Sequence, residues 1–226
     1  MAVLLAGCGR DAAEKVYFDS LHGGKNGMSA ADQLKLLDEA IALRPDRAWY
    51  LERRATLYVD LRDFAKARPN FDRAIELADR AYLRYARALA SCQEGRIREA
   101  LPDFDRAIER QPKNLQFYRG RGLARAETGD LRGARADAAF LLAKVPHWHD
   151  GHWLMGRVEE LSGRRAAAIP FYEKALSIRP ELIFPRRALV RCLRATGKIG
   201  EADVQAAEAA RRERNASVSY ADPFRY

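Results

Sequence analysis

Apolar residues along the chain recur at the spacing of helix faces. Within residues 32–44, one face of a predicted helix carries Leu34, Leu37, Ala40 and Ile41. Pro45 ends this helix, and Ser29 suits its N-cap. The stretch 81–113 predicts two more helices, with a turn at 94–96 and a stop at Pro112. The pattern therefore predicts an all-α protein.

The landmarks of this helix pair return with a period near 34 residues. The recurring turn glycines are Gly95, Gly129, Gly163 and Gly197. The terminal prolines are Pro112, Pro146 and Pro180. An alanine early in each second helix stands at Ala67, Ala100, Ala134, Ala168 and Ala202. The hexapeptide FDRAIE occurs at 71–76 and 104–109. A fixed period of this length indicates a repeat architecture.

These residues resemble the tetratricopeptide repeat (TPR) family. The family's small residue in the first helix corresponds to Ala55, Ala88, Gly122, Gly156 and the less apt Val190. Its A-x3-F pair corresponds to Ala67/Phe71, Ala100/Phe104 and, in a variant, Ala168/Tyr172. The Trp that often opens the first helix is replaced by Leu51, Arg84, Tyr118, His152 and Arg186. The resemblance covers residues 30–212 and implies an all-α, right-handed superhelical TPR solenoid of antiparallel helix pairs.

The recurring positions have physical reasons. Two helices approach closely only where side chains are small, and Phe71 and Phe104 are expected to fill the space between a pair and its neighbour. Another proline column, Pro69, Pro102 and Pro170, is expected in the first turn of the second helix, where N–H groups lack intrahelical partners.

The period divides the chain into about six repeats over residues 12–212. Their predicted bounds are 12–47, 48–80, 81–114, 115–148, 149–182 and 183–212. Residues 213–226 are predicted to be a flexible tail. Its three aromatic residues, Tyr220, Phe224 and Tyr226, leave docking into a groove as an alternative.

Residues 1–11 are predicted to hold a lipid-anchor site. Leu5-Ala6-Gly7-Cys8 resembles the lipobox of bacterial lipoproteins, in which the Cys carries the lipid. Only seven uncharged residues precede Cys8, so either the true start lies upstream or the match is accidental. If Cys8 is lipidated, Gly9 in place of Asp implies an outer-membrane anchor on the periplasmic side. Cys92 and Cys192 lie three repeats apart and are expected to be packed, unpaired thiols.

The net charge of +9, from 40 Lys and Arg against 31 Asp and Glu, has two interpretations. It promotes solubility, or it attracts an anionic partner such as an acidic peptide, a phospholipid surface or nucleic acid. Acidic residues are interspersed throughout and no RNA-recognition signature is present, which makes nucleic acid the less favoured partner.

The resemblance implies a concave peptide-binding groove lined by first helices. Its predicted residues are aromatic in the N-terminal half and rich in arginine in the C-terminal half: Trp49, Tyr82, Tyr85, Arg119, Trp153, Arg157, Phe184, Arg187, Arg191 and Arg194. Arginine holds carboxylates bidentately, and Tyr and Trp are frequent interface anchors. A partner peptide with an apolar segment and acidic residues, or a free C-terminal carboxylate, would suit this groove.

Three of the four histidines lie close together, at His147, His149 and His152. A zinc site needs three or four ligands, and no nearby Cys or Glu completes one, so a polar junction between repeats is favoured over a metal site. No phosphate loop or catalytic motif is present. We therefore predict a non-catalytic adaptor without a cofactor or metal, lipid-anchored in the bacterial envelope and aiding complex assembly; the alternative is a cytoplasmic adaptor that binds acidic peptides.

Overall fold

The computed structural model describes residues 12–20 and 27–214, which form helices joined by short turns and contain no strand. The helices are α1 (12–20), α2 (Ala30–Leu43), α3 (Ala48–Asp60), α4 (Phe64–Leu77), α5 (Ala81–Gln93), α6 (Ile97–Arg110), α7 (Leu115–Thr128), α8 (Leu131–Lys144), α9 (His149–Leu161), α10 (Arg165–Ile178), α11 (Ile183–Ala195) and α12 (Ile199–Arg214). The prediction of an all-α fold is confirmed for these residues. The chain divides into two compact units, Met1–Glu94 and Gly95–Tyr226.

In the first unit, small residues and single large rings pack the helices together. Phe71 of α4 is 1% exposed and lies among Ala55, Ala67 and Ala90, which come from α3, α4 and α5. The prediction that this ring fills the space between a helix pair and its neighbour is confirmed. Burying one such ring stabilises the fold by about 1.5–3 kcal/mol.

In the second unit, each helix packs against the next along the chain, from α6 to α12. The first helices of successive pairs also meet, because α7 contacts α9 and α9 contacts α11. Gly156 of α9 shows why small residues are needed at the crossings. A Cβ atom there would lie 2.7 Å from Cε1 of the buried Tyr172 ring in α10. Because α7 contacts α9 and α9 contacts α11, these three first helices form one continuous face.

A column of arginines links first helices to the second helices on either side. In the first unit, Arg54 donates to Asp38 (2.6 Å) and to Asn70 (2.8 Å). In the second unit, Arg121 donates to Asp105 (2.8 Å) and to the buried Asp137 (2.6 Å). Each bond connects helices that are adjacent in the stack, so the arginines join neighbouring layers of helices.

Three of the five residues that replace the family's opening Trp contact the carbonyl of the preceding terminal proline, whereas Arg84 donates to the Asp79 carboxylate. The Tyr118 hydroxyl donates to the Pro112 carbonyl oxygen at 3.1 Å, and His152 Nε2 lies 2.8 Å from the Pro146 oxygen. Arg186 donates from Nη2 to the oxygen of Pro180. In these three repeats the polar side chain satisfies a carbonyl left over at the end of a second helix.

The two columns of prolines differ in their relation to the helices. Pro112, Pro146 and Pro180 follow the ends of α6, α8 and α10, as predicted. The placement of Pro69, Pro102 and Pro170 in a first turn is wrong, because each is the sixth residue of its helix. A proline there removes the hydrogen bond to the carbonyl four residues earlier. All three prolines are exposed. The carbonyl that loses its hydrogen bond lies one turn earlier on the same helix face and is therefore open to water.

The turn between paired helices requires a left-handed backbone. The glycines of this column have φ values of 88°, 90°, 79° and 79° at Gly95, Gly129, Gly163 and Gly197. The α3–α4 turn places Arg62 in the same column with φ 60°. A left-handed conformation costs a residue with a Cβ atom roughly 1–2 kcal/mol, whereas glycine adopts it freely.

We expect Arg62→Gly to raise the free energy of unfolding by about 0.5–1 kcal/mol, because relief of this strain exceeds the added entropy of the unfolded chain. The relief of strain also exceeds the loss of the contact between the Arg62 guanidinium and the Phe64 ring, whose centroid lies 5.6 Å away. Urea denaturation measures the change. The adjacent Leu61 has φ −78°, so Leu61→Gly is the matched control and should lower stability. A loss of stability in Arg62→Gly would contradict the prediction.

Candidate functional site

A cavity of about 310 Å³ opens in the second unit on the face formed by α7, α9 and α11. The turns that precede α9 and α11 complete it. Its lining residues are Gln116, Arg119, Trp148, His149, Asp150, Trp153, Arg179, Leu182, Phe184 and Pro185. Three predicted groove residues, Arg119, Trp153 and Phe184, are brought together here.

The cavity wall combines stacked aromatic rings with a buried ion pair. Trp153 and Phe184 stack with their centroids 6.2 Å apart and an interplanar angle of 29°. The Arg119 guanidinium lies 5.6 Å from the Trp153 ring centroid and donates from Nε to Asp150 Oδ1 at 3.0 Å. Arg119 and Asp150 are both buried. The Trp153 ring therefore contacts both Phe184 and a cation that the ion pair holds in place.

His149, the first residue of α9, lies beside this ion pair. Its Nε2 is 3.6 Å from Asp150 Oδ1, the same oxygen that Arg119 binds. Burial lowers the pKa of His149 below 6.5; Asp150 opposes this shift, whereas Arg179 and Arg119 add to it. His149 therefore gains its positive charge at a lower pH than an ordinary imidazole does.

This shift makes stability depend on pH. Because the folded-state pKa of His149 is lowered, the unfolded chain binds more protons as pH falls below 6.5, and the free energy of unfolding decreases. The decrease continues until pH reaches the folded-state pKa. We expect His149→Gln to flatten this part of the profile, measured by urea denaturation between about pH 7.5 and 5. The exposed His147 serves as the control, since His147→Gln should leave the slope unchanged.

The predicted arginines beyond the cavity are paired within the chain. Glu160 accepts two bonds from Arg191, at 2.9 and 3.1 Å, and one from Arg157, at 3.3 Å. Arg157 also holds Glu127 through two bonds, at 2.8 and 3.1 Å. The buried Tyr172 hydroxyl donates to Glu160 at 2.7 Å. This network joins α7, α9, α10 and α11.

The last two predicted arginines form exposed pairs with α12. Arg187 Nε donates to Glu213 at 2.8 Å, and Arg194 Nη2 to Asp203 at 3.3 Å. A ligand carboxylate would share these guanidinium groups with carboxylates of the chain. The arginine-rich half of the predicted groove therefore also serves the packing of the last repeats.

The aromatic half of the predicted groove lies in the first unit. Tyr82 is 57% exposed, whereas Tyr85 is buried. Trp49 is half-buried and meets the Tyr50 ring edge-on, with 5.7 Å between the ring centroids. The Arg47 guanidinium lies 5.2 Å from the centroid of the Trp49 ring. Of these three rings, Tyr82 is the one that is open to a ligand.

The sequence interpretation missed the cavity residues that lie in turns, namely Trp148, Arg179 and Leu182. Trp148 and Leu182 are the N-cap residues of α9 and α11, and neither side chain caps its helix. N-caps are normally Ser, Thr, Asp or Asn. A large apolar residue at this position, twice at a spacing of 34, was the signal that could have revealed the cavity.

The histidines and cysteines show no metal site in the described part of the chain. No group of three or more His, Cys, Asp or Glu side chains within residues 12–20 and 27–214 is placed to hold a metal ion. Cys92 and Cys192 are buried thiols that are not joined in a disulfide, as predicted, and burial raises the pKa of Cys192 to about 11. Cys8 lies outside the described residues. None of the described helices is both long and apolar enough to cross a membrane.

Comparison with known families identifies the repeats. Two tetratricopeptide repeat profiles match the chain, one over residues 85–139 and 120–182 and the other over 50–80. Together they cover more than half of the sequence, and the chain belongs to the TPR family. TPR repeats form scaffolds for protein–protein interaction and are generally not catalytic, which supports a protein-binding adaptor. No curated protein matches the chain at a significant level.

Solved structures share the fold at low sequence identity. PilW, a type IV pilus biogenesis factor, is 18% identical with a TM-score of 0.76, over 91% of this chain and 95% of PilW. A TPR protein from Parabacteroides merdae is 15% identical with a TM-score of 0.76, over 86% and 77%. YrrB, described as a TPR protein with an unusual peptide-binding site, is 21% identical with a TM-score of 0.64, over 78% and 91%. At these identities the likeness concerns the fold.

Proposed function

We propose that the protein is a non-catalytic TPR adaptor that binds a partner protein on the face formed by α7, α9 and α11, and that a lipid on Cys8 anchors it in the bacterial envelope. The observation that carries the binding role is the cavity, which three successive first helices share. Concave sites with an apolar lining and a few fixed polar groups are typical binding sites. Stacked Trp153 and Phe184 beside the Arg119–Asp150 pair fit this description.

The fold neighbours support a peptide as the part of the partner that is bound. The structural description of YrrB names a peptide-binding site on a TPR fold. An acidic peptide agrees with the charge of the second unit, which has 25 Lys and Arg against 17 Asp and Glu. Such a peptide should bind less tightly as salt concentration rises, since salt screens attraction between exposed charges.

The envelope location rests on Leu5-Ala6-Gly7-Cys8 and on the fold. A lipobox-like Cys would tether the N-terminus to the outer membrane on the periplasmic side. PilW, whose fold this chain shares, is described as a pilus biogenesis factor, and an assembly role in the envelope agrees with that likeness. The alternative is an unlipidated cytoplasmic adaptor with the same binding face.

The location is tested by expressing the native gene with its upstream DNA and determining the mass of the N-terminus. We expect an acylated Cys8 as the first residue and the protein in the membrane fraction. Cys8→Ser should move the protein to the soluble fraction while its helical content stays unchanged. An intact Met1 in the cytoplasm would contradict the anchor and favour the alternative.

A further inference from the structure

We propose that the cavity binds one aromatic side chain of the partner, whose neighbouring carboxylate lies against Arg179, and that protonation of His149 strengthens this contact. This inference rests on the proposed role as a peptide-binding adaptor and specifies the chemistry of the peptide. The occupant is thus an acidic segment with a single aromatic anchor.

The size and walls of the cavity favour one large apolar side chain. Its apolar lining comes from α9, α11 and the turns before them: Trp148, Trp153, Leu182, Phe184 and Pro185. A volume of about 310 Å³ is at the lower end for ligand pockets, which suits a single ring rather than a folded ligand. Aromatic residues that fill desolvated pockets are the commonest anchors of protein interfaces.

The charges around the cavity favour an anion beside that ring. Asp150 is the one carboxylate among the lining residues, and Arg119 neutralises it through their buried ion pair. Arg179 remains at the rim, where its side chain is 51% exposed and pairs with the equally exposed Glu181. An exposed pair of this kind contributes little to stability, so a ligand carboxylate is able to share the guanidinium. A cationic ligand would face Arg119 and Arg179 with no free carboxylate among the lining residues.

His149 makes the contact sensitive to pH. The charged groups that face its ring are Asp150 on its own helix, Arg119 on α7, and Arg179 and Glu181 after α10. When the imidazole is neutral, the lining carries two guanidinium groups and one carboxylate. Protonation adds a positive charge without adding an anion, so an acidic ligand gains attraction and a neutral ligand does not.

The tryptophans provide a direct readout. The sequence has three Trp residues, of which Trp148 and Trp153 line the cavity and Trp49 lies in the first unit. Nuclear magnetic resonance of the ¹⁵N-labelled full chain resolves their indole N–H signals. The probe is the capped tripeptide Glu-Phe-Glu, titrated beside Gln-Phe-Gln and Glu-Ala-Glu. We expect Glu-Phe-Glu to shift the signals of Trp148 and Trp153 and to leave that of Trp49 unchanged.

The affinities of the three peptides distinguish the contribution of the aromatic ring from that of the carboxylates. Gln-Phe-Gln should bind about fivefold more weakly than Glu-Phe-Glu, and Glu-Ala-Glu at least about tenfold more weakly. Arg179→Gln should remove the preference for the acidic peptide. Arg164→Gln is the matched control, because Arg164 lies at the other end of α10, is 54% exposed and pairs with Glu159. This control should keep the preference.

Measuring peptide affinity as a function of pH distinguishes the protonation of His149 from a general effect of charge. Between about pH 7.5 and 5.5 the affinity for Glu-Phe-Glu should rise about threefold, while that for Gln-Phe-Gln stays constant. His149→Gln should abolish the rise and His147→Gln should keep it. Equal shifts from all three peptides, shifts from none, or an unchanged pH response in His149→Gln would overturn the proposal. A partner captured at another surface would still support an adaptor, so the two proposals fail separately.

Discussion

Replacing Arg121 with Met should lower the free energy of unfolding by about 2–3 kcal/mol. Arg121 donates to Asp137 at 2.6 and 3.1 Å, and the Asp137 side chain is 3% exposed. Removing one partner of a buried ion pair leaves an under-compensated charge, which typically costs about 3–5 kcal/mol. Arg125, 3.0 Å from Asp137, compensates part of this cost. Urea denaturation of the full chain measures the change.

Two further variants test the cause of this loss. Arg106 pairs with Glu109, but both side chains are at least 60% exposed, so Arg106→Met should change stability by less than about 0.5 kcal/mol. The double variant Arg121→Met with Asp137→Asn should recover at least about half of the loss, because no buried charge remains. Asn70 already occupies the corresponding position beside Arg54. No recovery would show that Arg121 acts through packing and not through the carboxylate.

Replacing Glu160 with Gln should lower the free energy of unfolding by about 2 kcal/mol, because Arg157 and Arg191 both lose their shared carboxylate. Burial raises the pKa of Glu160, but the bonds from Arg191 and Tyr172 outweigh burial and hold the pKa below 4.5. A carboxyl with a lowered pKa stabilises the fold above its ordinary pKa and loses this effect as pH falls through the folded-state value.

The difference in stability between the wild-type chain and Glu160→Gln should therefore be largest near neutral pH and shrink below about pH 4.5. The exposed Glu173 of α10 is the control, and Glu173→Gln should have little effect at any pH. A difference that stays constant down to about pH 3 would contradict a role for the carboxylate charge.

The helix pairs were predictable from the sequence because the same landmark residues recur in successive repeats. Any single proline or glycine is a weak signal, but four turn glycines in one phase predict the turns that the structure shows. Pro102 shows the limit of this reasoning. The period shows that Pro102 belongs to a recurring set of prolines, but it does not show how far inside α6 the residue lies. That position depends on where the preceding turn ends and on which helix face is exposed to water.

The candidate site was predicted only in part. Arg119, Trp153 and Phe184 follow from the first-helix column, yet their grouping into a cavity depends on the turns that carry Trp148 and Leu182. The repeated Asp in FDRAIE was visible as a pattern, but its partners lie 15 or 16 residues away: Arg87 for Asp72 and Arg121 for Asp105. Pairing between helices requires the three-dimensional arrangement, which the period alone does not supply.

Photo-crosslinking in the native cell tests most directly whether α7, α9 and α11 form the binding face. A photoreactive residue replaces either Gln116, an exposed residue of the cavity lining, or Glu173, an exposed residue outside it. We expect a discrete protein adduct from position 116, none from position 173, and loss of the adduct when Phe184→Ala is added. Adducts of equal yield from both positions, or an adduct from 116 that survives Phe184→Ala, would contradict the account.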